Sequence, residues 1–314
     1  MIGAGTDRRW GVAILAALGL LALLPLARPR EDVLNFAVLV LLSITLAESW
    51  NIVAGYAGQV NLGHAAFFGL GALVTRTLWS DGLPVLLAMA AGAATATVFA
   101  LVIGAAAFRL RGAYFAIGTL ALGEILRTTV GNVLPEISTL PARTIAGYRL
   151  TQRYYLALVL AAVSVIAVAA LATSRVGLGM RAIREDEAAA EASGVGALWL
   201  KLLALGLSTA LAGLAGGLFA FYHISYYPAH PFGPQWTFDA LLMTFIGGVG
   251  TLQGPVLGAV LYVTLKEYLA LRWVDIHLLI FGALFVAIVL LLPGGLVQAA
   301  ERARGLLGGA RGPA

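Results

Sequence analysis

Leu202–Phe238 reads LLALGLSTALAGLAGGLFAFYHISYYPAHPFGPQWTF, without one Asp, Glu, Lys or Arg. Its first part, Leu202–Tyr222, alone supplies the roughly 20 apolar residues that a bilayer-spanning helix needs. Uncharged runs of the same kind lie on both sides: Trp10–Ala27, Ser49–Thr75, Gly82–Phe108, Tyr154–Ser174, Ala240–Leu265 and Ile276–Ala300. The whole chain agrees, being 61% hydrophobic and 11% charged, where soluble domains carry about 25% charged residues. Mean hydropathy is +0.93. These numbers exclude a soluble globular domain and predict an all-α, polytopic transmembrane bundle forming a single domain over 1–314.

Thirty-eight glycines in such a chain point to close helix–helix contacts and deliberate breaks. The absence of cysteine excludes disulfides, thiolate metal sites and thiol nucleophiles. The net charge of +5 reads as anchoring on the inner side of a membrane rather than a nucleic-acid footprint. Arg8 and Arg9 precede a long apolar run without a small-x-small cleavage site, which reads as a retained first span.

Counting crossings between positive clusters places Arg8/Arg9, Arg109/Arg111 and the polar stretch 174–201 inside. Six spans then fit, at about 10–27, 33–54, 62–79, 84–107, 113–133 and 154–173. The loop 134–153 falls outside although it carries Arg143, Arg149 and Arg153, against the charge rule. Leu202–Tyr222 leads outward into an external loop, His223–Thr237. Phe238–Leu265 is interrupted by GGVGTLQGP (247–255), which no continuous helix accommodates cheaply. Split there, it runs inward and back outward, and a last span at 276–292 returns Arg302, Arg304 and Arg311 to the inside. The expected total is eight to ten spans, some short or re-entrant.

The first half holds a matching interruption, GYAGQVNLGH (55–64). Paired glycine-interrupted segments in corresponding halves point to a transport pathway at a repeat interface; two packed turns near the membrane surface are the bland alternative. Polar residues inside the spans sharpen the question, because a charge in lipid costs several kcal/mol unless paired or wetted. Glu48 and Asn51 share a helix face with Thr45, and Glu124 shares one with Arg127. Each pair reads either as pathway lining or as a structural clamp. Gln59, Asn61, His64 and Gln253 at the interruptions complete the candidate pathway set. Small residues recur every fourth position as Ala204, Ser208, Ala212, Gly216, Ala220 and as Ala88, Gly92, Ala96, Ala100, Gly104, a pattern for close helix packing.

Enzyme motifs are missing. No G-x-x-x-x-G-K-[ST] loop, H-E-x-x-H or G-x-S-x-G occurs, so the chain has no P-loop for nucleotide. His64, His223, His230 and His277 lack metal-ligand spacing. The stretch 174–201, with Arg181, Arg184, Glu185, Asp186, Glu187 and Glu191, reads as a short charged helix with Gly194 as its stop. It is either a docking element for a soluble partner or a solvated connector.

NIVAGYAGQVNLGHAAFFGLG (51–71), RGAYFAIGTLALGE (111–124), GMRAIREDEAAAEASG (179–194) and IGGVGTLQGPVLGA (246–259) together resemble the LIV-type permeases of branched-chain amino acid ABC transporters. The third string favours the LivM-type subunit. The resemblance spans about 33–295 and implies an inner-membrane permease subunit of a bacterial importer, without a catalytic site. It implies a homologous LivH-type permease, two cytoplasmic ATP-binding subunits that hold the ATP, and a periplasmic solute-binding protein as partners. Residues 174–201 would then be the coupling loop. The wider importer pattern, E-A-A with glycine three residues on, is approximate, since Glu187-Ala188-Ala189 meets Ser193 at the glycine position. Related permeases carry urea and short amides, which stay open as cargo. An ion-coupled secondary transporter with Glu48 as its proton site stays open as a different class.

Overall fold

A computed structural model describes residues 4–110, 112–272, 279–280, 282–283, 286, 290 and 294–300. The expected last span at 276–292 falls largely outside these residues, and Arg111, Arg302, Arg304 and Arg311 fall wholly outside.

The chain is helical almost throughout. In order come α1 (Ala4–Leu21), α2 (Glu31–Trp50), α3 (His64–Ser80), α4 (Val85–Ala107), α5 (Ala113–Val133), α6 (Ala142–Ala146), α7 (Leu150–Thr173), α8 (Arg175–Glu185), α9 (Glu187–Ala192), α10 (Ala197–Tyr222), α11 (Pro234–Gly247) and α12 (Gln253–Arg272). Among the described residues, five stretches are long and apolar enough to cross a membrane: Glu31–Tyr56, Val85–Ala107, Leu150–Thr173, Ala197–Tyr222 and Gln253–Arg272. Local chemistry sets the helix ends. Glu31 and Asp32 in the first turn of α2 suit the positive end of its dipole. Pro234 opens α11 at a position where its missing N–H costs nothing.

The core is built around α3, α4 and α10. The two stripes of small residues face into it, and all ten members are buried. A Cβ on Gly71 would come within 2.5 Å of Gly213 Cα, and one on Gly213 within 2.8 Å of Ala93 Cα. Backbone therefore meets backbone, which is how helices gain van der Waals contact where lipid offers no hydrophobic drive. Around this core, α2 packs on α7, α10, α11 and α12, and α11 lies antiparallel to α12. α5 stands at the edge with most of its surface exposed.

Three expectations need correction. The charged stretch is not one helix. α8 ends at Glu185, Asp186 turns into extended backbone, and its carboxylate accepts from Ala189 N–H (3.0 Å) to start α9. The resulting elbow is capped at its start by Ser174, whose hydroxyl accepts from Gly177 N–H. The loop 223–237 is no simple external loop, because α11 already begins at Pro234 and Phe232 is buried against Gly69 of α3. One of the three arginines of 134–153 also has an explanation. Arg153 is buried, donates to Phe221 O (2.9 Å) and Arg149 O (3.2 Å), and lies over the rings of Tyr148 and Phe221. A cation held by carbonyls and aromatic faces inside the fold does not act as a free surface charge.

The break in the second half is where the sequence places it. α11 stops at Gly247, Gly248 and Gly250 take positive φ (134° and 78°), and α12 starts at Gln253. Gly295 packs back against Gly247 and Gly248. The chain thus returns to the end of the bundle where α12 begins.

Candidate functional site

The two interruptions, far apart in sequence, meet in space. α2 does not end at Trp50 but continues as a π-helical turn, Asn51–Tyr56, a widened geometry frequent at functional sites. Asn51, the first residue of this turn, reaches the other break. Its Oδ1 accepts from Gly250 N–H (2.8 Å) and its Nδ2 donates to Thr251 O (2.9 Å). Gly55 sits in the seam, and a Cβ there would lie 2.7 Å from Gly250 N. Only glycine lets the two backbones approach this closely.

After the turn the chain climbs back along α2. Trp50 Nε1 donates to Asn61 O (2.9 Å), Gly63 N–H donates to the Asn61 side chain, and His64 Nε2 pairs with Ser49 Oγ (2.8 Å). The Ser49 hydroxyl also lies 2.7 Å from Leu46 O. α3 consequently starts inside the bundle, and its 17 residues reach only about 25 Å. Glu48 is buried, with Asn51 Nδ2 3.5 Å from Oε2. Among the described residues, Glu48 Oε1, Asn61 Nδ2, His64 Nδ1 and Gln253 Oε1 are buried without hydrogen-bond partners. Each such atom costs about 1–3 kcal/mol. All four belong to, or lie within two residues of a partner of, Glu48–Asn51. Gln59 stands apart, donating to Ala57 O (3.2 Å) and lining a cavity of about 330 Å³ with Glu187, Lys201 and the start of α5.

Glu124 lies elsewhere. It stands about 16 Å along α5 with about 14 Å of helix beyond it, at 1.5 Å per residue. Arg127 Nε donates to both its carboxylate oxygens (3.0 and 2.9 Å). The side chains remain 48% and 44% exposed, so a charged pair at mid-helix faces outward from this subunit. A narrow cleft beside it is lined by Gly123 and Glu124, by Gly63 and Ala65 at the start of α3, and by Phe232, Pro234 and Thr237. Thr237 Oγ1 accepts from Ala65 N–H (2.8 Å) and ties the first turns of α3 and α11 together.

The elbow of α8 and α9 abuts the meeting point of the breaks. Arg184 Nη1 donates to Gly55 O (2.5 Å), and Arg181 Nη2 donates to Ala172 O (2.8 Å) with its guanidinium 5.3 Å from the Tyr56 ring centroid. Glu187 pairs with Lys201 of α10 (2.6 Å), not with Arg184, because the break at Asp186 ends the helical spacing. Glu185, Asp186 and Glu191 are exposed, and Gly194 takes φ +85° just after α9.

At the opposite end the structure reveals a cation that sequence reasoning passed over. Arg76 of α3 is buried and fully engaged. Nε donates to Ser138 Oγ (3.0 Å), Nη1 to Ala220 O and His223 O (3.1 and 2.8 Å), and Nη2 to Ser138 O and Ile224 O (2.8 and 2.5 Å). It fastens the short antiparallel bridge of Ser138–Thr139 with Ser225–Tyr226 onto α3. A single arginine closing an apolar run that the charge pattern treats as ending at Thr75 was the available signal. His223 and His230 pack on Phe219. Burial lowers both pKa values below the usual imidazole range, and Arg76 and His230 lower that of His223 further.

The profile of a family described as "Branched-chain amino acid transport system / permease component" matches residues 32–289. The Escherichia coli K12 protein named "High-affinity branched-chain amino acid transport system permease protein LivM" is 28% identical over 327 residues, covering 91% of this chain and 76% of its own length. The protein of the same name from Salmonella typhimurium is 28% identical, covering 93% of this chain and 76% of itself. No solved structure matches.

Proposed function

Because the chain belongs to the family of branched-chain amino acid transport permeases, we propose that it is the membrane-embedded subunit of an ATP-driven importer that carries hydrophobic amino acids across a bacterial inner membrane. In this reading the α8–α9 end faces the cytoplasm. ATP is bound and split by two partner subunits docked there, a homologous permease completes the pathway, and an external binding protein delivers the solute. No step of bond chemistry falls to this chain.

The observation that carries the pathway reading is the Glu124–Arg127 pair. A charge facing hydrocarbon at the bilayer centre costs about 2.5–3.5 kcal/mol even on the mildest scale. A half-exposed pair in the middle of α5 therefore belongs against water or protein, which supports a pathway along the outer face of α5. The pair also offers one charge of each sign, the complement of an amino acid's carboxylate and ammonium. Uptake of labelled leucine and labelled urea, in cells carrying the full set of subunits, tests this. Leucine is expected to enter, and Glu124→Gln is expected to cut its uptake at least tenfold while membrane insertion persists. Urea uptake without leucine uptake refutes the amino-acid assignment.

A further inference from the structure

The cytoplasmic elbow does more than offer a charged surface. One of its side chains reaches into the place where the two helix breaks touch. We infer that Arg184 is a positioning residue, the joint through which movement of α8 and α9 is passed to both breaks at once. The inference rests on the permease reading above and assigns the transmission to one side chain.

The first half of the joint is chemical. The π-helical end of α2 leaves its last carbonyls without intrahelical donors, and these carry the negative end of the helix dipole. Arg184 Nη1 donates to one of them, Gly55 O, at 2.5 Å. A cation from a separate helix thus caps the C-terminus of the longest continuous stretch of the first half, Glu31–Tyr56.

The second half is steric. Gly58, at φ +71°, lies so close that a Cβ would stand 3.0 Å from Arg184 Cγ and 3.1 Å from its Cα. Gly250, from the other break, lies against Arg184 Nη1, and a Cβ there would also fall 2.8 Å from Gly55 O. Glycines of both interruptions therefore flank one arginine side chain, Gly58 along its stem and Gly250 at its guanidinium. Asn51 bonds the two walls to each other through Gly250 N–H and Thr251 O. Arg184 is exposed on its outer side and holds the two breaks through the contacts of its inner side alone. A shift of α8 has to carry both breaks with it or release the cap.

The rest of the elbow suits a lever. Its far arm is anchored to α10 by the Glu187–Lys201 pair, while Glu185, Asp186 and Glu191 remain exposed for a partner. The orphaned buried atoms of Glu48 and Gln253 sit just beyond the slot, so the region to be moved is also one whose polar groups gain from rearrangement.

Two measurements separate this proposal from the permease reading it rests on. The first uses the purified chain alone and follows amide hydrogen exchange in Arg184→Gln, Arg184→Lys and Gly250→Ala. Each variant is expected to raise exchange at least tenfold in both break segments, 55–63 and 248–252, with α4 and α10 unchanged and Arg184→Lys the mildest. Exchange that rises only near residue 184, or in one break only, overturns the joint whatever the protein transports. A variant that loosens α4 and α10 as well has merely unfolded the bundle and also counts against a local joint. The second uses the complete importer in proteoliposomes and measures ATP split per solute moved. Arg184→Gln is expected to raise that ratio at least fivefold, with Arg184→Lys recovering part of the coupling. An unchanged ratio overturns the proposal. Failure of the wild-type complex to move any solute instead overturns the permease reading and leaves the exchange result to decide the joint.

Discussion

Replacing Arg76 by glutamine removes the guanidinium that holds Ser138 O, Ala220 O, His223 O and Ile224 O together with the Ser138 hydroxyl. Hydrogen bonds to a charged group contribute about 1.5–3 kcal/mol each. They do not sum here, because all five share one side chain. A cavity of about 600 Å³, lined by Arg76, Asp81, Glu136 and Tyr226 among others, admits water to part of the vacated site. Rehydration of some carbonyls and partial replacement by the glutamine amide leave a net loss of about 2–4 kcal/mol. At roughly 2–4 °C per kcal/mol for a chain of this size, the thermal midpoint falls by on the order of 5–10 °C. Tryptophan fluorescence of the purified protein in detergent measures the shift, and limited proteolysis within 134–149 reports whether the β bridge has come loose. Arg76→Lys keeps the charge but not the five-donor fork, and is expected to lose about half as much. If Arg76→Gln melts at the wild-type temperature with 134–149 still protected, the clamp contributes nothing and the account of that end is wrong.

Two further outcomes follow from other contacts. Glu187→Gln leaves Lys201, whose side chain is 5% exposed, without its carboxylate. Since Glu187 is itself 31% exposed, the expected loss is about 1–2 kcal/mol, and the double variant Glu187→Gln with Lys201→Met is expected to recover most of it in the same melting assay. His223 and His230 have native pKa values below the ordinary 6.5, so the unfolded chain takes up protons first as pH falls. Stability is therefore complete above pH 6.5 and declines below it. The segment 223–232 becomes more open to proteolysis on acidification, and His223→Gln flattens that dependence; an unchanged pH profile in the variant refutes the assignment.

Much of the architecture was legible because lipid imposes simple rules. Uncharged length located the helices now seen at 85–107 and 197–222 within a few residues, and counting crossings between positive clusters located the one at 113–133. Glycine runs located both interruptions, since no other residue type tolerates their backbone. The every-fourth-residue stripes announced the packing of α4 and α10. What stayed hidden was tertiary. Nothing in the periodicity of 55–64 or 247–255 says that they touch, because the contact runs through the Asn51 side chain to backbone groups about 200 residues away. The role of Arg76 and Arg153 does not show in the sequence, because their partners are largely carbonyls from segments far along the chain, and carbonyls leave no trace in a sequence. The elbow was drawn as one helix because Ala and Glu favour helix on both sides of Asp186, while the aspartate's preference for capping the next helix prevailed locally. Candidate pathway residues divided in three, with Gln59 alone lining the cavity beside Glu187 and Lys201. Glu48, Asn51, Asn61, His64 and Gln253 gather along the seam of the breaks, whereas Glu124 faces outward from α5 with Arg127.

The central claim is that this subunit shapes a route and takes its energy from elsewhere. Proteoliposomes containing the purified chain alone, loaded with a proton or sodium gradient and offered labelled leucine, test that claim directly. The account predicts no accumulation above the external concentration until the second permease, the ATP-splitting subunits, the binding protein and ATP are all supplied. Uphill accumulation by this chain alone would contradict it.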